Sequence, residues 1–288
     1  MENTEKNKLQ KSTLYLVGTP IGNLSDISER AIKVLSEVDF VAAEDTRNSM
    51  KLLSALGIKK ELVSYYEHNK KSSGEKIAAR LLQGESCALI TDAGMPAISD
   101  PGEDIVRLCA DAGVCVSVIP GPSAVVSALA LSALATARFC FEGFLSAKTS
   151  ERRARLSELS SERRTMIFYE APHKLKRTLL DMREFFGEER KISLCREITK
   201  LNEEVIRLTL SEAIALYEEK EPRGEYVLVL EGADEAGISP DSAVDTSLSP
   251  RQQVEALIEG GMQKKDAIKE VAKRLGVPKS EIYNLMID

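Results

Sequence analysis

The residues best suited to chemistry are carboxylates and an arginine that stand directly after apolar segments of the sequence. Glu44, Asp45 and Arg47 close the segment VDFVAAEDTR, and Glu197 closes the segment ISLCRE. Carboxylates in a polar site can accept protons, and a nearby guanidinium can stabilise negative charge. An alternative for the first cluster is that Asp45 or Thr46 caps the following helix, which would explain one residue of the cluster but not all of it.

Two further segments are typical of ligand-binding loops. LITDAGMPAISDPGEDIVRL spans residues 89–108, and VSVIPGPSAVVSALALSAL spans residues 116–134. Each begins with a short apolar run typical of a buried strand, continues into Gly, Pro, Ala and Ser, and ends in an amphipathic or apolar helix. This repeated order predicts a mainly parallel sheet, in which ligands bind at the carboxyl ends of the strands. The alternative is two ordinary turns, each of which starts a helix.

The composition of these two loops narrows the chemistry of the ligand. Asp92 and Asp100 supply carboxylates, whereas Lys and Arg are absent from residues 92–104 and 116–136. The sequence also lacks the GxxxxGK[ST] motif that binds a triphosphate. The loops therefore favour a nucleoside-like ligand that is uncharged or cationic.

The overall composition indicates a globular protein with room for two α/β domains. The chain has 288 residues and a formal net charge of −6, which argues against binding nucleic acid over the whole surface. Five cysteines without a CxxC pair and two distant histidines predict reduced thiols and no metal site. The polar amino terminus and the short apolar segment 124–137 predict neither a secretion signal nor a membrane span. Together these features favour a cytoplasmic location.

Turn and linker residues divide the α/β chain into four predicted segments. Residues 13–136 form a first α/β domain that carries the ligand loops, and residues 137–232 form a second one with some antiparallel strand pairing. Residues 233–250 are small, polar and acidic and contain Pro, as linkers do. Residues 251–288 predict two helices joined by LGVPK, with Gly276 as the helix stop, and resemble a helix-turn-helix.

Positive charge is concentrated in residues 146–164, which hold six Lys or Arg against three Glu. Such a run is either a solvated helix face or an electrostatic contact for a phosphate backbone. The segment 251–288 has seven Lys or Arg against six acids. This near balance is compatible with a contact to nucleic acid and equally with a small helical module that only packs against itself. The candidate RNA-binding residues are Lys148, Arg152, Arg153, Arg155, Lys264 and Lys265.

Nine motifs together resemble the tetrapyrrole-methylase-like, or class III, S-adenosylmethionine methyltransferases. The resemblance covers about residues 13–288, nearly the whole chain, and no single motif would be specific by itself. The motifs are LYLVGTPIGNLSDIS, AAEDTR, SYYEHN, LITDAGMPAISDPG, VIPGPSA, FEGFL, FYEAPHKL, LCREITKLNEE and GEYVLVLEG. Members acting on tetrapyrroles would be expected to carry GDPxxY-like and GxGxGD-like loops, where this chain has TDAGMPAISDPG and VGTPIGNLSD. The resemblance therefore points to the branch that acts on ribosomal RNA, which the helical tail also fits.

The resemblance implies two α/β domains with S-adenosylmethionine in the cleft between them, commonly in a homodimer. It further implies 2′-O-methylation of a cytidine ribose in 16S rRNA, in the decoding region of the small ribosomal subunit. Loops without lysine agree with a cofactor that carries a sulfonium cation and no phosphate. By motif, the cofactor-binding residues would be Pro20, Asp92, Ala93, Gly94, Ile98, Ser99, Asp100, Pro120, Gly121, Ser123, Ser127, Phe168, Tyr169 and Glu170.

The implied reaction is displacement of the methyl group from sulfur by the ribose 2′-hydroxyl. Positioning can supply much of the acceleration, and a base or a cation near the weakly acidic hydroxyl should add to it. Our hypothesis is that Glu44, Asp45, Arg47 and Glu197 face the acceptor. Two other function classes stay open: a tetrapyrrole-type small-molecule methyltransferase, favoured by the acidic composition, and a non-enzymatic nucleic-acid-binding regulator, which leaves the two ligand loops unexplained.

Overall fold

The computed structural model describes residues 8–233, 249–259, 263–275 and 277–286. The predicted linker lies outside the described residues except at its two ends, and the predicted helix stop at Gly276 lies outside them as well. The described chain divides into two compact units, of which the first holds the sheets and the second the carboxyl-terminal helices. The domain boundary between residues 136 and 137 stays a prediction.

Short apolar segments in the amino-terminal half form a first sheet of five strands in the described chain. The strands are β1 (Thr13–Val17), β2 (Phe40–Ala43), β3 (Glu61–Ser64), β4 (Cys87–Ile90) and β5 (Cys115–Ile119). They lie in the order β3-β2-β4-β1-β5, and all neighbouring pairs are parallel. The central strands β2 and β4 are buried along their whole length, which explains why they consist of apolar residues.

Helices pack on both faces of the first sheet and connect its strands. After a short 3-10 helix (Leu24–Asp26), they are α1 (Glu29–Glu37), α2 (Thr46–Ala55), α3 (Lys70–Leu82) and α4 (Gly102–Asp111). A fifth helix, α5 (Ala124–Leu131), follows β5 and leads to the second sheet. Leu35 of α1 and Leu53 of α2 belong to the core on one face, and Leu81 of α3 and Ile105 of α4 to the core on the other. Because the strands are parallel, the loops after their carboxyl ends gather at one edge. The strand–loop–helix order predicted for both ligand loops is confirmed.

The second sheet of the same unit is mostly antiparallel. Its strands are β6 (Phe139–Phe144), β7 (Thr165–Glu170), β8 (Lys191–Arg196), β9 (Glu204–Thr209) and β10 (Tyr226–Leu230). They lie in the order β6-β7-β10-β8-β9, with β6 and β7 parallel and the other neighbours antiparallel. The predicted hairpin-like pairing of β8 and β9 is confirmed, with Arg196 opposite Glu204.

Helices cover the two faces of the second sheet from different parts of the chain. The helices α6 (Thr149–Glu158), α7 (Pro172–Phe186) and α8 (Leu210–Glu219) contribute to the core on one face. On the other face, Val125, Ala128 and Leu129 of α5 pack against Ile167 and Val229 of the sheet. Since α5 directly follows a strand of the first sheet, this contact joins the two sheets and brings their loops together.

The second unit consists of α9 (Pro250–Glu259), α10 (Lys264–Leu275) and α11 (Lys279–Asn284) among its described residues. Val254, Ile268, Val271 and Ile282 form its core. Pro278 is the N-cap of α11, so the second predicted helix of the helix-turn-helix-like segment is present. In the part of the chain that is described, no helix is both long and apolar enough to cross a membrane.

Candidate active site

A cavity of about 700 Å³ opens at the carboxyl ends of the parallel strands and is walled by both sheets. This volume is in the range that holds nucleoside-sized ligands. The first sheet contributes Ile21, Glu44 and the β4 loop (residues 91–101), and the second contributes Tyr169 and the β8 loop (residues 197–203). The cleft expected between two α/β halves is therefore present.

Bare backbone lets three loops of the first sheet pack against one another beside this cavity. A Cβ atom on Gly18 would lie 2.7 Å from Cα of Gly121, so neither position has space for a side chain. Thr19 and Gly94 exchange backbone hydrogen bonds, with N···O distances of 2.9 and 3.1 Å. The glycines thus fix the loops after β1, β4 and β5 in one arrangement.

The β4 loop is strained and is held by one carboxylate. Ala97 and Ser99 have φ angles of 66° and 60°, in the left-handed region that residues with a Cβ rarely adopt. Oδ1 of Asp100 accepts hydrogen bonds from the backbone N–H of Gly102 at 2.7 Å and of Ala97 at 3.0 Å. Burial raises the pKa of Asp100, and backbone N–H groups of Gly102, Ala97 and Ile98 offset part of that rise. Asp100 therefore organises the loop.

The β8 loop is strained in the same way but is built from charged side chains. Glu197 and Thr199 have φ angles of 52° and 67°. Oε1 of Glu197 accepts from the backbone N–H of Glu225 at 2.9 Å and from Nζ of Lys200 at 3.0 Å. The N–H of Glu225 lowers the pKa of Glu197, burial opposes this, and Lys200 lowers it further. Glu197 is therefore ionised at neutral pH.

The AEDTR cluster divides between the cavity and the adjoining helix. Glu44 lines the cavity, and its Oε2 accepts a hydrogen bond from Oγ1 of Thr91 at 3.0 Å. Asp45 is the N-cap of α2: it accepts from the backbone N–H of Arg47 at 2.8 Å and pairs with the guanidinium of Arg47 at 3.0 Å. Asp45 and Arg47 are not among the described residues that line the cavity, so the capping alternative describes them.

Strand β7 presents alternate side chains to the cavity and to the core. Tyr169 lines the cavity with its ring centroid 5.3 Å from that of Phe144, and burial raises its pKa. Phe168 points to the opposite face and lies in the hydrophobic core. Glu170, the last residue of β7, borders the cavity but is 3% exposed, and its carboxylate accepts from Oγ1 of Thr178 on α7 at 2.5 Å and from the backbone N–H of Ala171 at 2.9 Å.

Carboxylates dominate the charge of the cavity. Among the described lining residues, five are acidic and one, Lys200, carries a permanent positive charge. The carboxylates are those of Glu44, Asp100, Glu170, Glu197 and Glu225. The described residues hold no cluster of three or more side chains that could bind a metal ion. This balance suits a ligand with positive charge.

Comparison with known proteins places the chain in a family. The family model described as "Tetrapyrrole (Corrin/Porphyrin) Methylases" matches residues 13–214, more than half of the chain. The chain belongs to the tetrapyrrole methylase family. The resemblance seen in the sequence is thereby confirmed.

Relatives of this tetrapyrrole methylase are similar over almost their full length. "Ribosomal RNA small subunit methyltransferase I" of Halalkalibacterium halodurans is 48% identical over 275 residues, covering 96% of this chain and 94% of that protein. The protein of the same name from Synechocystis sp. is 42% identical over 278 residues, covering 96% and 97%. The expectation of a methyltransferase related to the ribosomal RNA branch is confirmed.

A solved structure confirms the fold class of this tetrapyrrole methylase. Uroporphyrin-III-C-methyltransferase from Thermus thermophilus superposes with a TM-score of 0.53 over 76% of this chain and 94% of that chain. Its sequence identity of 21% is low, so this likeness shows the fold alone.

The residues predicted to bind the cofactor fall into two groups in this tetrapyrrole methylase. The first group lines the cavity and consists of Ala93, Gly94, Ile98, Ser99, Asp100, Ser123, Tyr169 and Glu170. The second group is not among the described lining residues and consists of Pro20, Asp92, Pro120, Gly121, Ser127 and Phe168. Gly121 packs on Gly18, and Asp92 is exposed and accepts from Nδ2 of Asn48 at 3.2 Å.

The basic side chains of α6 are paired with carboxylates, some from other elements and some from α6 itself. Arg152 is 4% exposed, and its Nε donates to Oδ2 of Asp181 at 2.6 Å, so its guanidinium lies inside the protein. Arg153 also pairs with Asp181, at 3.1 Å, and with Glu184. Arg155 pairs with Glu142 at 2.6 Å. Lys148 pairs with Glu151 at 2.8 Å. The alternative of a helix face bound by ion pairs therefore describes α6 better than a free phosphate contact.

In the second unit, Lys264 and Lys265 are exposed at the start of α10. Nζ of Lys264 donates to the backbone carbonyl of Met286 at 3.3 Å, which ties the start of α10 to the end of the described chain. These two lysines keep their ammonium groups at the surface of their own unit. Their role in RNA binding stays a prediction.

Sequence reasoning missed Lys200 and Glu225 as site residues. Lys200 stands in the motif LCREITKLNEE, three positions after Glu197. That spacing was the available signal, but a charged turn without Gly or Pro looks like an ordinary surface connection. Glu225 directly precedes strand β10. It lies next to Glu197 because Tyr226 of β10 pairs with Arg196 of β8.

Proposed function

We propose that this member of the tetrapyrrole methylase family transfers a methyl group from S-adenosylmethionine to the ribose 2′-hydroxyl of a cytidine in 16S rRNA, in the decoding region of the small ribosomal subunit. The observation that carries the proposal is the acidic cavity, whose described lining has five carboxylates and one lysine. The names of the full-length relatives supply the class of acceptor.

The residues of the cavity fit this cofactor. When bound, it supplies a methyl group on a sulfonium cation, whose sulfur leaves as a neutral thioether. The backbone of Ala93, together with Ser99 and Ser123, offers hydrogen-bonding groups without a positive charge, and Ile98 adds apolar surface. The carboxylates of the cavity match the positive charges of the cofactor, and no lysine is needed for a phosphate.

The chain's own groups then prepare the acceptor hydroxyl. Glu197 is ionised and lines the cavity, so it can accept the hydroxyl proton as the new bond forms. Glu44 keeps one carboxylate oxygen bonded to Thr91 and is the second candidate for this role. The rings of Tyr169 and Phe144, with centroids 5.3 Å apart, supply apolar surface to the cavity wall.

An RNA acceptor requires a surface on the protein that binds the RNA backbone. We assign the RNA contact to Lys264 and Lys265, with Lys148, Arg153 and Arg155 in a lesser role because each is ion-paired. Arg152 is withdrawn from this set because its guanidinium is buried. The enzyme acts in the cytoplasm, where small subunits are found, and as a homodimer, as the family resemblance implies. A membrane has no part in this proposal.

Two linked experiments test the proposed function. Calorimetric titration of the purified protein with S-adenosylmethionine should give binding in the micromolar range. Transfer of tritiated methyl groups from the cofactor to small ribosomal subunits that lack the modification should follow, and nuclease digestion should release the label as 2′-O-methylcytidine. Cofactor binding without transfer to subunits, together with methylation of a tetrapyrrole such as uroporphyrinogen III, would instead establish the small-molecule alternative.

A further inference from the structure

Lys200 holds a singular position in the cavity. It is the one described lining residue with a permanent positive charge, and its side chain is 28% exposed. The sulfonium and ammonium groups of the cofactor would be repelled by a cation, whereas the cofactor's carboxylate would attract one. Lys200 therefore has two candidate partners, the cofactor carboxylate and the acceptor, and the observations below favour the acceptor.

The backbone around Lys200 is held in a costly conformation. Glu197 and Thr199, on its amino-terminal side, both adopt left-handed φ angles of 52° and 67°. The aliphatic stem of Lys200 lies over Gly22 of the first sheet, where a Cβ would approach Cε of Lys200 to 2.8 Å. Strained residues that are fixed in this way are characteristic of sites where a side chain must be aimed.

Counting hydrogen-bond groups shows what the cluster leaves free. The ammonium of Lys200 has three N–H donors, of which two reach Oε1 of Glu197 at 3.0 Å and Oε2 of Glu225 at 2.8 Å. Oε1 of Glu197 also accepts from the backbone of Glu225, but no described residue donates to its Oε2. One N–H of Lys200 and one carboxylate oxygen of Glu197 are therefore available side by side.

The other acids of the cavity lack such an arrangement. The oxygens of Asp100 and Glu170 accept hydrogen bonds from their own surroundings. Glu44 has a free oxygen, but the arginine closest to it in the sequence, Arg47, is paired with Asp45. Among the described lining residues, only Glu197 and Glu225 adjoin a cation, and Glu197, with 18% of its side chain exposed against 82% for Glu225, is the more buried of the two.

We propose that Lys200 and Glu197 together bind and activate the acceptor hydroxyl. The hydroxyl oxygen accepts a hydrogen bond from the free N–H of Lys200 and donates its own hydrogen to Oε2 of Glu197. The oxygen then forms its bond to the methyl carbon while the carbon–sulfur bond breaks, with its electron pair remaining on sulfur, and the hydroxyl proton passes to Glu197. Lys200 stabilises the negative charge that develops on the oxygen. Glu225 is a positioning residue.

The charges of the cluster are compatible with the cofactor. Two carboxylates and one ammonium give Glu197, Lys200 and Glu225 a net charge of −1, so the lysine does not make this part of the cavity repel a sulfonium. Burial by itself would lower the pKa of Lys200, but hydrogen bonds to Glu225 and Glu197 outweigh it and raise the pKa. The ammonium therefore persists at neutral pH.

The test compares Lys200→Met, Lys200→Arg and, as a matched control, Lys176→Met. Lys176 is an exposed, ion-paired lysine on α7, 2.6 Å from Glu221. We expect Lys200→Met to lower single-turnover methyl transfer to small subunits about 100-fold, and Lys200→Arg to keep most of the rate. S-adenosylhomocysteine affinity, measured by calorimetry, should change less than about threefold in all three variants, because Lys200 serves the acceptor.

A binding experiment checks the hydroxyl contact without turnover. Small subunits reconstituted with a single 2′-deoxycytidine at the target should bind the wild-type protein about fivefold more weakly than ribose-containing subunits. Lys200→Met should show a smaller difference between the two, because only the contact of the hydroxyl to Glu197 remains. A Lys200→Met rate within about threefold of wild type, or a parallel loss of S-adenosylhomocysteine affinity, would overturn the inference. The inference rests on the proposed function, whose own failure would be distinct: wild-type protein would then not methylate subunits at all.

Discussion

The β4 loop and the β8 loop line the same cavity and share one backbone peculiarity, but they use their polar groups differently. Each holds two residues with left-handed φ angles: Ala97 and Ser99 in one, Glu197 and Thr199 in the other. In the β4 loop, Asp100 directs its carboxylate to N–H groups of its own turn. In the β8 loop, charged side chains bind one another and leave a donor and an acceptor free. We infer that the β4 loop, whose carboxylate is used within its own turn, serves as a scaffold. The β8 loop, which keeps a donor and an acceptor free, can act on a bound molecule.

This comparison predicts that the largest effect on cofactor binding comes from Asp100→Ala. The substitution removes the acceptor for the N–H groups of Ala97 and Gly102, so the two strained residues of the loop lose their support. Each hydrogen bond to a charged group contributes about 1.5–3 kcal/mol, so we expect S-adenosylmethionine affinity to fall by about 300-fold or more in calorimetry.

Asp100→Asn separates the geometry of the loop from the charge of the cavity. The amide oxygen can still accept from the backbone while the negative charge is lost, so affinity should fall only about tenfold. Equal losses in the Ala and Asn variants would mean that the charge of Asp100, and not its support of the turn, decides binding, and would remove the distinction between the two loops.

The next effect in size is on turnover and comes from Glu197→Gln. Since Gln cannot accept the hydroxyl proton, methyl transfer to small subunits should fall about 100-fold, with cofactor affinity unchanged. Glu44→Gln is the matched variant, because Glu44 also lines the cavity but has no adjacent cation. A larger loss of turnover in Glu44→Gln than in Glu197→Gln would transfer the role of proton acceptor to the first sheet.

The pH dependence of folding offers a second measurement on the same variant. The pKa of Glu197 is lowered in the folded protein, chiefly by the N–H of Glu225. The folded protein is therefore more stable with Glu197 ionised than with Glu197 protonated. The contribution of Glu197 to stability is present above the unfolded pKa of about 4.3 and is lost as the pH falls through the folded value. Urea unfolding of wild type and Glu197→Gln should differ at neutral pH and converge in acid.

The two loops also show what the sequence can and cannot reveal. The β4 loop was predicted because Gly94, Pro96 and Pro101 interrupt an apolar pattern, and such residues act on the backbone nearby. The β8 loop was predicted only in part, through Glu197. Its lysine is recognisable as a site residue only once β10 lies beside β8 and delivers Glu225, which is a long-range property of the sheet.

The same limit applies to the basic run of α6. Within residues 146–164 the sequence has more cationic than acidic side chains, which suggests a positively charged surface. The carboxylates that neutralise Arg152, Arg153 and Arg155 include Asp181 of α7 and Glu142 of β6, both outside that window. Strands and helices follow from local patterns, but a charge surplus can be judged only after distant elements have packed together.

The smallest predicted effect concerns a contact that supports the β4 loop from the second sheet. Gly143, in β6, has a φ angle of 65°, and a Cβ there would lie 3.2 Å from Oγ of Ser99. Gly57 is a suitable control, because its φ angle is 71° and a Cβ there would meet no atom within 4 Å. Gly143→Ala and Gly57→Ala should each destabilise the protein by about 1 kcal/mol in urea unfolding, since both place a Cβ in the left-handed region.

Only Gly143→Ala should also weaken S-adenosylmethionine binding, by about fivefold, because its methyl group displaces Ser99 and with it the strained turn that Asp100 holds. Equal cofactor affinity in the two alanine variants would show that the β4 loop keeps its shape without help from the second sheet. In that case the loop is a self-contained scaffold, and the coupling between the two halves of the cavity passes through Lys200 and Gly22 instead.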